Sequence, residues 1–379
     1  MAAEEWRAHA RNLADQVTHP GSRWYEQIAN TPRHLLVPAW WERDDDGARV
    51  LRHGDLAGAY ADRSLVTRVG PLHADHASSS DRPEGCPTSS STLPSLVVTM
   101  YRYANLTRGL AICDVGTGSG YGAALLARRY GDQHVTSLDV DPYLVSAATR
   151  RLARLDLYPT VVTADATAPL PGQYDRIVSM MSVPSIPPSW LAALRPGGRL
   201  VTTIRGTSMI LTATRTADGV FGRIERDRAG FMSVRTGPDY PPEHPAGFDR
   251  IADLDGEEVT VGRYPVLNVA DAWDLSTALT LAVPGVRHDY RAEPDGGHTA
   301  LLAHPDGSWA RATAVGTDPP TVHQGGPRRL WDALDAARDD WLRLGWTPWL
   351  GARAMVRDDG SIKLLRGTWR ATIPAAPGW

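Results

Sequence analysis

An acid followed by three closely spaced glycines stands in Asp114-Val115-Gly116-Thr117-Gly118-Ser119-Gly120-Tyr121. The apolar run from Leu110 to Val115 reads as a buried parallel strand. After the glycines, Gly122 to Arg129 is a good helix-forming run. Glycines let backbone approach a ligand closely, and a strand, glycine loop and helix start together make a nucleotide-type pocket at the carboxyl end of a sheet. A second acid, Asp139, closes the next strand, where its carboxylate can accept both hydroxyls of a ribose. Asp141 competes for that role and has a structural explanation of its own, as N-cap of a helix starting at Pro142. Asp165 follows the third strand and can take an adenine amino group or simply form a turn. The spacing of Gly116, Gly118 and Gly120 is tighter than the Gly-x-Gly-x-x-Gly of nicotinamide binders. It argues against a nicotinamide and for S-adenosylmethionine.

The elements that must position these groups alternate as in a doubly wound sheet. His134 to Val140 predicts a strand, Pro142 to Leu155 a helix, and Thr160 to Thr163 and Tyr174 to Met180 two further strands. A short helix near Ser189 to Leu194 leads through Pro196-Gly197-Gly198 to a strand from Leu200 to Ile204. Met209 to Arg215 and Phe221 to Arg226, joined by Asp218-Gly219, predict a closing hairpin. Upstream, Glu4 to Asn30 predicts two helices broken at Pro20-Gly21, and a helix follows Pro94. Pro71 to Ser91 reads as a long exposed loop. Beyond Thr236, Pro238, Pro241, Pro242 and Pro245 suggest a linker. Leu330 to Leu344 predicts a helix with Leu330, Leu334, Ala337 and Trp341 on one face, and Met355 to Leu365 a hairpin turning at Asp358-Asp359-Gly360. Many of the 13 tryptophans lie in this tail. They form core or line a peptide groove, core being the simpler reading.

The chain has 379 residues, enough for two or three units, and 42% hydrophobic residues supply a core. A net charge of -3 gives no pull toward nucleic acid or anionic membrane. Lys363 is the one lysine among the basic residues. Cys86 and Cys113 are the only cysteines, which excludes a disulfide framework and fits a reducing compartment. No signal peptide or membrane-spanning run is visible, so a cytoplasmic location is expected.

Residues from about Ile28 to Arg235 resemble the protein-L-isoaspartate O-methyltransferase family. The resemblance rests on Thr31-Pro32-Arg33 through Val37-Pro38, Ala59-Tyr60 with Asp62-Arg63, the glycine loop, Tyr174-Asp175-Arg176-Ile177 and Arg195-Pro196-Gly197-Gly198-Arg199-Leu200, in the family's order. It implies an α/β fold: a Rossmann-like class I S-adenosylmethionine-dependent methyltransferase with a doubly wound, mostly parallel sheet and terminal hairpin. An α+β C-terminal extension is expected beyond it. The divisions expected are an N-terminal substrate-binding segment (1–105), a cofactor-binding core (106–235) and an extension (236–379) serving peptide recognition. The resemblance implies that Asp114, Gly116, Thr117, Gly118, Ser119, Gly120, Tyr121 and Asp139 hold S-adenosylmethionine, with Asp165 near the adenine. It also implies that the methyl acceptor is a peptide carboxylate.

The family places a hydroxyl beside that carboxylate in a Ser/Thr-x-Ser-Gln/Ala-Pro motif. Registered on Pro94, the matching stretch is Ser90-Ser91-Thr92-Leu93-Pro94, so Thr92 takes the hydroxyl position, with Ser91 a possible substitute. A carboxylate is already ionised at neutral pH, so transfer needs placement and shielding from water rather than a strong base. The alternative is a Ser-rich flexible loop.

Two departures stand out: the long stretch before Thr92 and the extra residues after the family's usual end. They resemble methyltransferases of ribosomal peptide pathways (graspetides, lasso peptides, lanthipeptides), which implies methylation of a precursor-peptide aspartate and an aspartimide or isoaspartate product. Isoaspartyl repair and a non-catalytic escort on the same fold are the competing readings. The remaining constellations are bland. His73-Ala74-Asp75-His76 reads as a solvated turn rather than a metal site, Cys113 as a small buried residue, and no metal is expected.

Overall fold

The computed structural model describes residues 2–236, 248–294, 296–345 and 347–378. The proline cluster from Pro238 to Pro245 lies outside the described residues, as do Trp346 and Trp379. Among the described residues the strands form three sheets, and no helix is long and apolar enough to cross a membrane.

The N-terminal part runs α1 (Ala2–Val17), α2 (Tyr25–Ala29), α3 (Arg33–Leu36), β1 (Ala39–Arg43), β2 (Arg49–His53), α4 (Leu56–Ala59), β3 (Leu65–Val69), β4 (Leu72–His73), β5 (Pro87–Ser91) and α5 (Pro94–Tyr103). Helices α1, α2 and α5, with Trp24 just before α2, bury Leu13, Trp24, Ile28, Val98 and Tyr101 in one core with Leu125 and Leu126. The stretch from Pro71 to Ser91 is not the exposed loop its composition suggests. It supplies β4 and β5, and β5 lies antiparallel to β3 with Leu65 opposite Ser91 and Val66 opposite Ser90. Its serines lack the apolar alternation that marks a strand. Backbone pairing and a Thr67 to Ser89 hydroxyl bond of 3.0 Å hold it instead.

The central part follows the expected alternation: β6 (Ile112–Val115), α6 (Tyr121–Tyr130), β7 (Val135–Asp139), α7 (Pro142–Ala153), β8 (Thr160–Thr163), β9 (Tyr174–Val183), α8 (Pro188–Ala193), β10 (Leu194–Ile204), β11 (Met209–Thr216) and β12 (Gly219–Arg228). Strands β8-β7-β6-β9-β10 are parallel, and β11 and β12 close the run as an antiparallel hairpin. The register sets Val115 beside Leu138 and Ser179, and Asp139 beside Thr163. The carboxyl ends of four strands therefore share one edge, where an open α/β sheet binds ligands.

The tail contains α9 (Phe248–Ala252), β13 (Glu258–Val261), α10 (Trp273–Ala282), β14 (Arg287–Ala292), β15 (Gly297–Ala303), β16 (Trp309–Val315), β17 (Thr321–Gly325), α11 (Leu330–Leu344), β18 (Arg353–Val356), β19 (Ile362–Arg366) and β20 (Trp369–Ile373). Strands β13 to β17 form a separate antiparallel sheet, which shares a core with α10 and α11 through Leu275, Leu279, Leu302, Trp331 and Leu334. Helix α11 has the expected bounds, but Trp341 is 45% exposed rather than part of its buried stripe. The tryptophans divide: Trp331 and Trp349 are core, whereas Trp273 is 48% exposed.

The last three strands return to the central sheet. β18 pairs antiparallel with β12, Val356 opposite Val220 and Ala354 opposite Gly222, and β19 and β20 extend it. Ala354, Val356, Ile362 and Leu364 join Leu211, Ala213 and Ile224 in a common core. A division at residue 236 thus separates strands that lie in a single sheet.

Candidate active site

The glycine loop turns at the edge defined by the carboxyl ends of β6 and β7. Gly118 has φ +50°, and a Cβ there would lie 3.1 Å from the carbonyl oxygen of Ser90. Gly120 has φ +84°, and its Cβ would lie 3.2 Å from that of Ala148 on α7. Both approaches are tighter than an ordinary Cβ contact, and both conformations favour glycine. The first brings the end of β5 directly over the loop. The loop's hydroxyls face inward: Thr117 Oγ1 lies 2.7 Å from Ser137 Oγ, and Ser119 Oγ accepts from the Tyr121 amide at 3.3 Å. Tyr121, expected among the cofactor contacts, sends its ring into the core, 5.3 Å from the Arg33 guanidinium.

The acids around the loop divide by environment. Asp139 ends β7 and accepts from the Gly118 amide at 2.9 Å and the Asp141 amide at 3.1 Å. Burial pushes its carboxyl up; those two amides and the charge of Arg235 pull it back. A carboxylate offers about four acceptor sites, so two remain for a diol. Asp141 is spent elsewhere. It caps α7 through the Tyr143 amide at 2.9 Å and also takes Arg68 at 2.6 Å and His73 at 3.1 Å. Burial opposes its charge, but the hydrogen bond and charge of His73, with Arg68, outweigh that and hold it at about 2. Asp165 forms a turn, its Oδ1 accepting from the Thr167 amide at 2.8 Å and hydroxyl at 2.7 Å.

The His73 segment is therefore not a solvated turn. His73 is buried against Tyr143, and Asp75 takes the Tyr143 hydroxyl at 2.9 Å and Arg151 at 2.6 Å. Charged partners on α7 dock what composition alone reads as loop. Among the described residues no cluster of three or more His, Cys, Asp or Glu is arranged to hold a metal.

Asp114 lies beneath the loop rather than in it. It is 1% exposed, and Ser137 at 2.7 Å and Tyr101 at 3.2 Å donate to its two oxygens. Burial pushes its carboxyl up to about 6, the two hydroxyls pull it partly back, and Asp139 adds repulsion. In the unfolded chain it titrates near about 3.9. Between those values the folded protein holds a proton that the unfolded chain has lost, so stability falls as pH rises through this range. Asp114→Asn removes the titration. Urea denaturation should show the wild type losing on the order of 3 kcal/mol relative to the variant between about pH 4 and pH 6. A difference that stays level across this range would contradict the assignment.

The Ser90 to Pro94 turn is gripped by the upstream motifs. Arg33 is fully buried, and among the described residues its hydrogen bonds go to backbone carbonyls. Its Nη1 donates to Ala59 and Ala61 carbonyls at 3.0 and 2.8 Å. Its Nη2 donates to those of Arg63, Ser91 and Thr92 at 3.1, 3.4 and 3.3 Å. Ser64 Oγ accepts from the Leu93 amide at 3.2 Å, and Asp62 from the Ser95 amide at 2.9 Å. Sequence reasoning used these motifs only as family marks; their hydrogen bonds explain why they accompany the turn. Ser91 Oγ is buried and has no hydrogen-bond partner among the described residues, while Thr92 is half-buried. Leu93, the next residue, lines a cleft of about 710 Å³.

Two walls of the site were missed in the sequence. The segment after β12 crosses the edge at Ser182, whose amide donates to Met232 at 2.9 Å and whose carbonyl accepts from Val234 at 2.8 Å. It brings the charge of Arg235 to bear on Asp139. Ala270, Trp273 and Ser276, from the tail, line the same cleft as Leu93, a cleft that neither the glycine loop nor Asp139 lines. No local signal could place residues so distant in sequence beside each other.

Comparison with known proteins agrees with this geometry. Residues 79–234 match the family described as protein-L-isoaspartate(D-aspartate) O-methyltransferase (PCMT). The Ignicoccus hospitalis protein-L-isoaspartate O-methyltransferase is 32% identical over 223 residues, covering 57% of this chain and 90% of that protein. The Hyperthermus butylicus enzyme of the same name is 28% identical over 235 residues, covering 57% and 84%. A solved protein-L-isoaspartate O-methyltransferase structure superposes over 97% of this chain and 98% of its own with a TM-score of 0.51. At 16% identity it speaks for the fold alone, but that fold includes the tail. The Asp139 carboxylate, with acceptor sites to spare beside a close-packed glycine loop, fits S-adenosylmethionine, the cofactor of this group. With 32% identity reaching across most of the Ignicoccus protein, the chain belongs to the protein-L-isoaspartate O-methyltransferase family of S-adenosylmethionine-dependent carboxyl methyltransferases.

Proposed function

We propose that this carboxyl methyltransferase esterifies an aspartate side chain of a ribosomally synthesised, modified and macrocyclic precursor peptide, the ester leading on to aspartimide or isoaspartate. The observation that carries the reading is the composition of the cleft beside Leu93. One of its walls, Ala270, Trp273 and Ser276, lies beyond the family-matched residues 79–234. A substrate carboxylate entering this cleft meets a surface that the matched region does not supply.

In this reading Asp139 accepts the ribose hydroxyls, and the backbone of Gly116, Gly118 and Gly120 lets the cofactor lie close to the sheet edge. Asp165 keeps one carboxylate oxygen for the adenine side. Held by Asp139 and the glycine-loop backbone, S-adenosylmethionine would supply an electrophilic sulfonium methyl group for transfer to the substrate carboxylate. Thr92 or Ser91 orients the carboxylate by donating a hydrogen bond, and no base is needed because the nucleophile is already ionised. In the peptide, attack of the next backbone nitrogen on the ester carbonyl then expels methanol and closes an aspartimide.

A second reading, repair of isoaspartyl sites in damaged proteins, is favoured by the superposition of the tail on a protein-L-isoaspartate O-methyltransferase structure. Mass-resolved assays with linear and cyclised precursor and with a short isoaspartyl peptide separate the two. Methyl gain followed by methanol loss on the cyclised precursor alone is expected. Turnover of the isoaspartyl peptide instead would move the chain to repair. In the same assay Thr92→Val and Ser91→Ala are each expected to slow turnover, with the orienting hydroxyl costing roughly tenfold or more. Equal rates in both variants and wild type would remove the hydroxyl from the mechanism.

A further inference from the structure

The acceptor cleft continues into a second hollow on the tail. Trp273, at the start of α10, and Arg228 line both the cleft beside Leu93 and a groove of about 640 Å³ that runs to Trp341 and Leu342 on α11. Both tryptophans are exposed, as is Leu342. The groove also carries a buried charge. Arg338, 5% exposed, sits between the rings of Tyr264 and Trp331, at 5.6 and 5.5 Å from their centroids. Its Nη1 donates to Asp335 at 3.3 Å, but Nε and Nη2 have no hydrogen-bond partner among the described residues. Those two nitrogens form one edge of the guanidinium, with the parallel N–H pair that a carboxylate accepts in bidentate fashion. The groove's own acids are answered elsewhere: Asp274 pairs with Arg228 at 2.8 Å and Asp271 accepts from Asn268 at 2.8 Å.

We propose that this groove holds the segment of the peptide substrate flanking the methylated residue, with an acidic side chain on the Nε–Nη2 edge of Arg338 and apolar side chains against Trp273 and Trp341. The occupant follows from the continuity of the groove with the acceptor cleft and from the charge at its floor. Both nitrogens are themselves shielded from solvent, so the carboxylate meets them only as the Arg338 side chain turns toward it. Aromatic side chains flanking a desolvated charge are the pattern of interface residues that dominate affinity. The inference rests on the reading that the cleft beside Leu93 takes a peptide carboxylate.

The test uses the full chain with S-adenosylhomocysteine and fluorescein-labelled synthetic peptides. Each peptide is macrocyclised around an Asp-Gly acceptor and carries, at stepped distances from it, a Leu-Glu-Phe anchor or its Leu-Gln-Phe control. At one spacing the Glu peptide should bind about tenfold tighter than the Gln peptide. Trp273→Ala and Trp341→Ala, both at exposed positions, should each weaken the Glu peptide by about tenfold. Arg338→Gln should bind the Glu and Gln peptides alike. Because Arg338 is buried, the Glu-to-Gln comparison in wild-type protein decides the matter without that variant. Equal binding of the two peptides at every spacing, or undiminished binding by both tryptophan variants, overturns the proposal. Methylation of the same peptides is read separately. Anchor-dependent binding without methyl transfer would keep the groove and sink the acceptor reading, and transfer indifferent to the anchor would do the reverse.

Discussion

Asp139→Asn is expected to weaken binding of S-adenosylhomocysteine by about two orders of magnitude. The carboxylate sits at the end of β7 with one amide, from Gly118 or Asp141, on each oxygen, and two acceptor sites remain, which the proposed reading gives to the ribose. A hydrogen bond to a charged group contributes about 1.5–3 kcal/mol, and the loss of a charge-assisted pair falls near the upper end of that range or above it. Asparagine keeps the shape but turns a donor toward one of the two amides, so the loop is also pushed away from its place. The neighbouring Asp141 is no substitute, because His73, Arg68 and the Tyr143 amide already occupy it. Isothermal titration is the measurement. An affinity within about twofold of wild type would mean that the ribose is held elsewhere.

Arg33→Met carries the second large effect: a loss of about 3–5 kcal/mol of stability, with a fall in turnover that exceeds any change in cofactor affinity. Burial opposes the charge on Arg33 and draws its pKa down to about 10, so the guanidinium is itself a burden to the fold. Five carbonyl bonds offset that burden, from Ala59, Ala61, Arg63, Ser91 and Thr92. Methionine removes the burden but takes the guanidinium donors away from these carbonyls, at about 1–3 kcal/mol for each buried group left unpaired, Ala61 keeping the Arg63 amide at 2.8 Å. The carbonyls win because there are several of them and one charge. The carbonyls of Ser91 and Thr92 are among those released, so the acceptor turn loosens while the glycine loop keeps its own bonds to Leu138 and Asp139. Urea denaturation and kinetics on the folded fraction measure the two parts. A stability loss under about 1 kcal/mol, or turnover that falls only in step with cofactor affinity, would make Arg33 an ordinary core residue.

The tail has a double part in this arrangement. Ala270, with Trp273 and Ser276 of α10, lines the cleft beside Leu93, while β18 to β20 complete the central sheet beside β12. Strand β12 would otherwise be a long free edge, a liability that proteins cover or pair. The tail residues that line this cleft are thus bracketed, in sequence, by strands of the central sheet itself.

Local order was open to reading from the sequence alone. The glycine loop, the strand from Thr160 to Thr163, the helix from Leu330 to Leu344 and the hairpin about Asp218-Gly219 depend on contacts a few residues apart. Periodicity, caps and turn residues record such contacts directly. The order of Asp114, Asp139 and Asp165 at successive strand ends was legible for the same reason. What each acid does was not. Asp114 lies beneath the loop because Ser137 and Tyr101 close over it, and Asp141 is withdrawn from competition by Arg68 and His73, which precede it by 73 and 68 residues. The strand from Pro87 to Ser91 and the return of β18 to β12 were equally hidden. Backbone ladders can pair almost any residues, so a serine-rich strand and a distant partner leave no mark in hydrophobic spacing. The sequence by itself determined the family, the cofactor loop and the local elements. Only the tertiary structure, by setting burial and long-range charge, decided which polar groups remain free to meet a cofactor and a substrate.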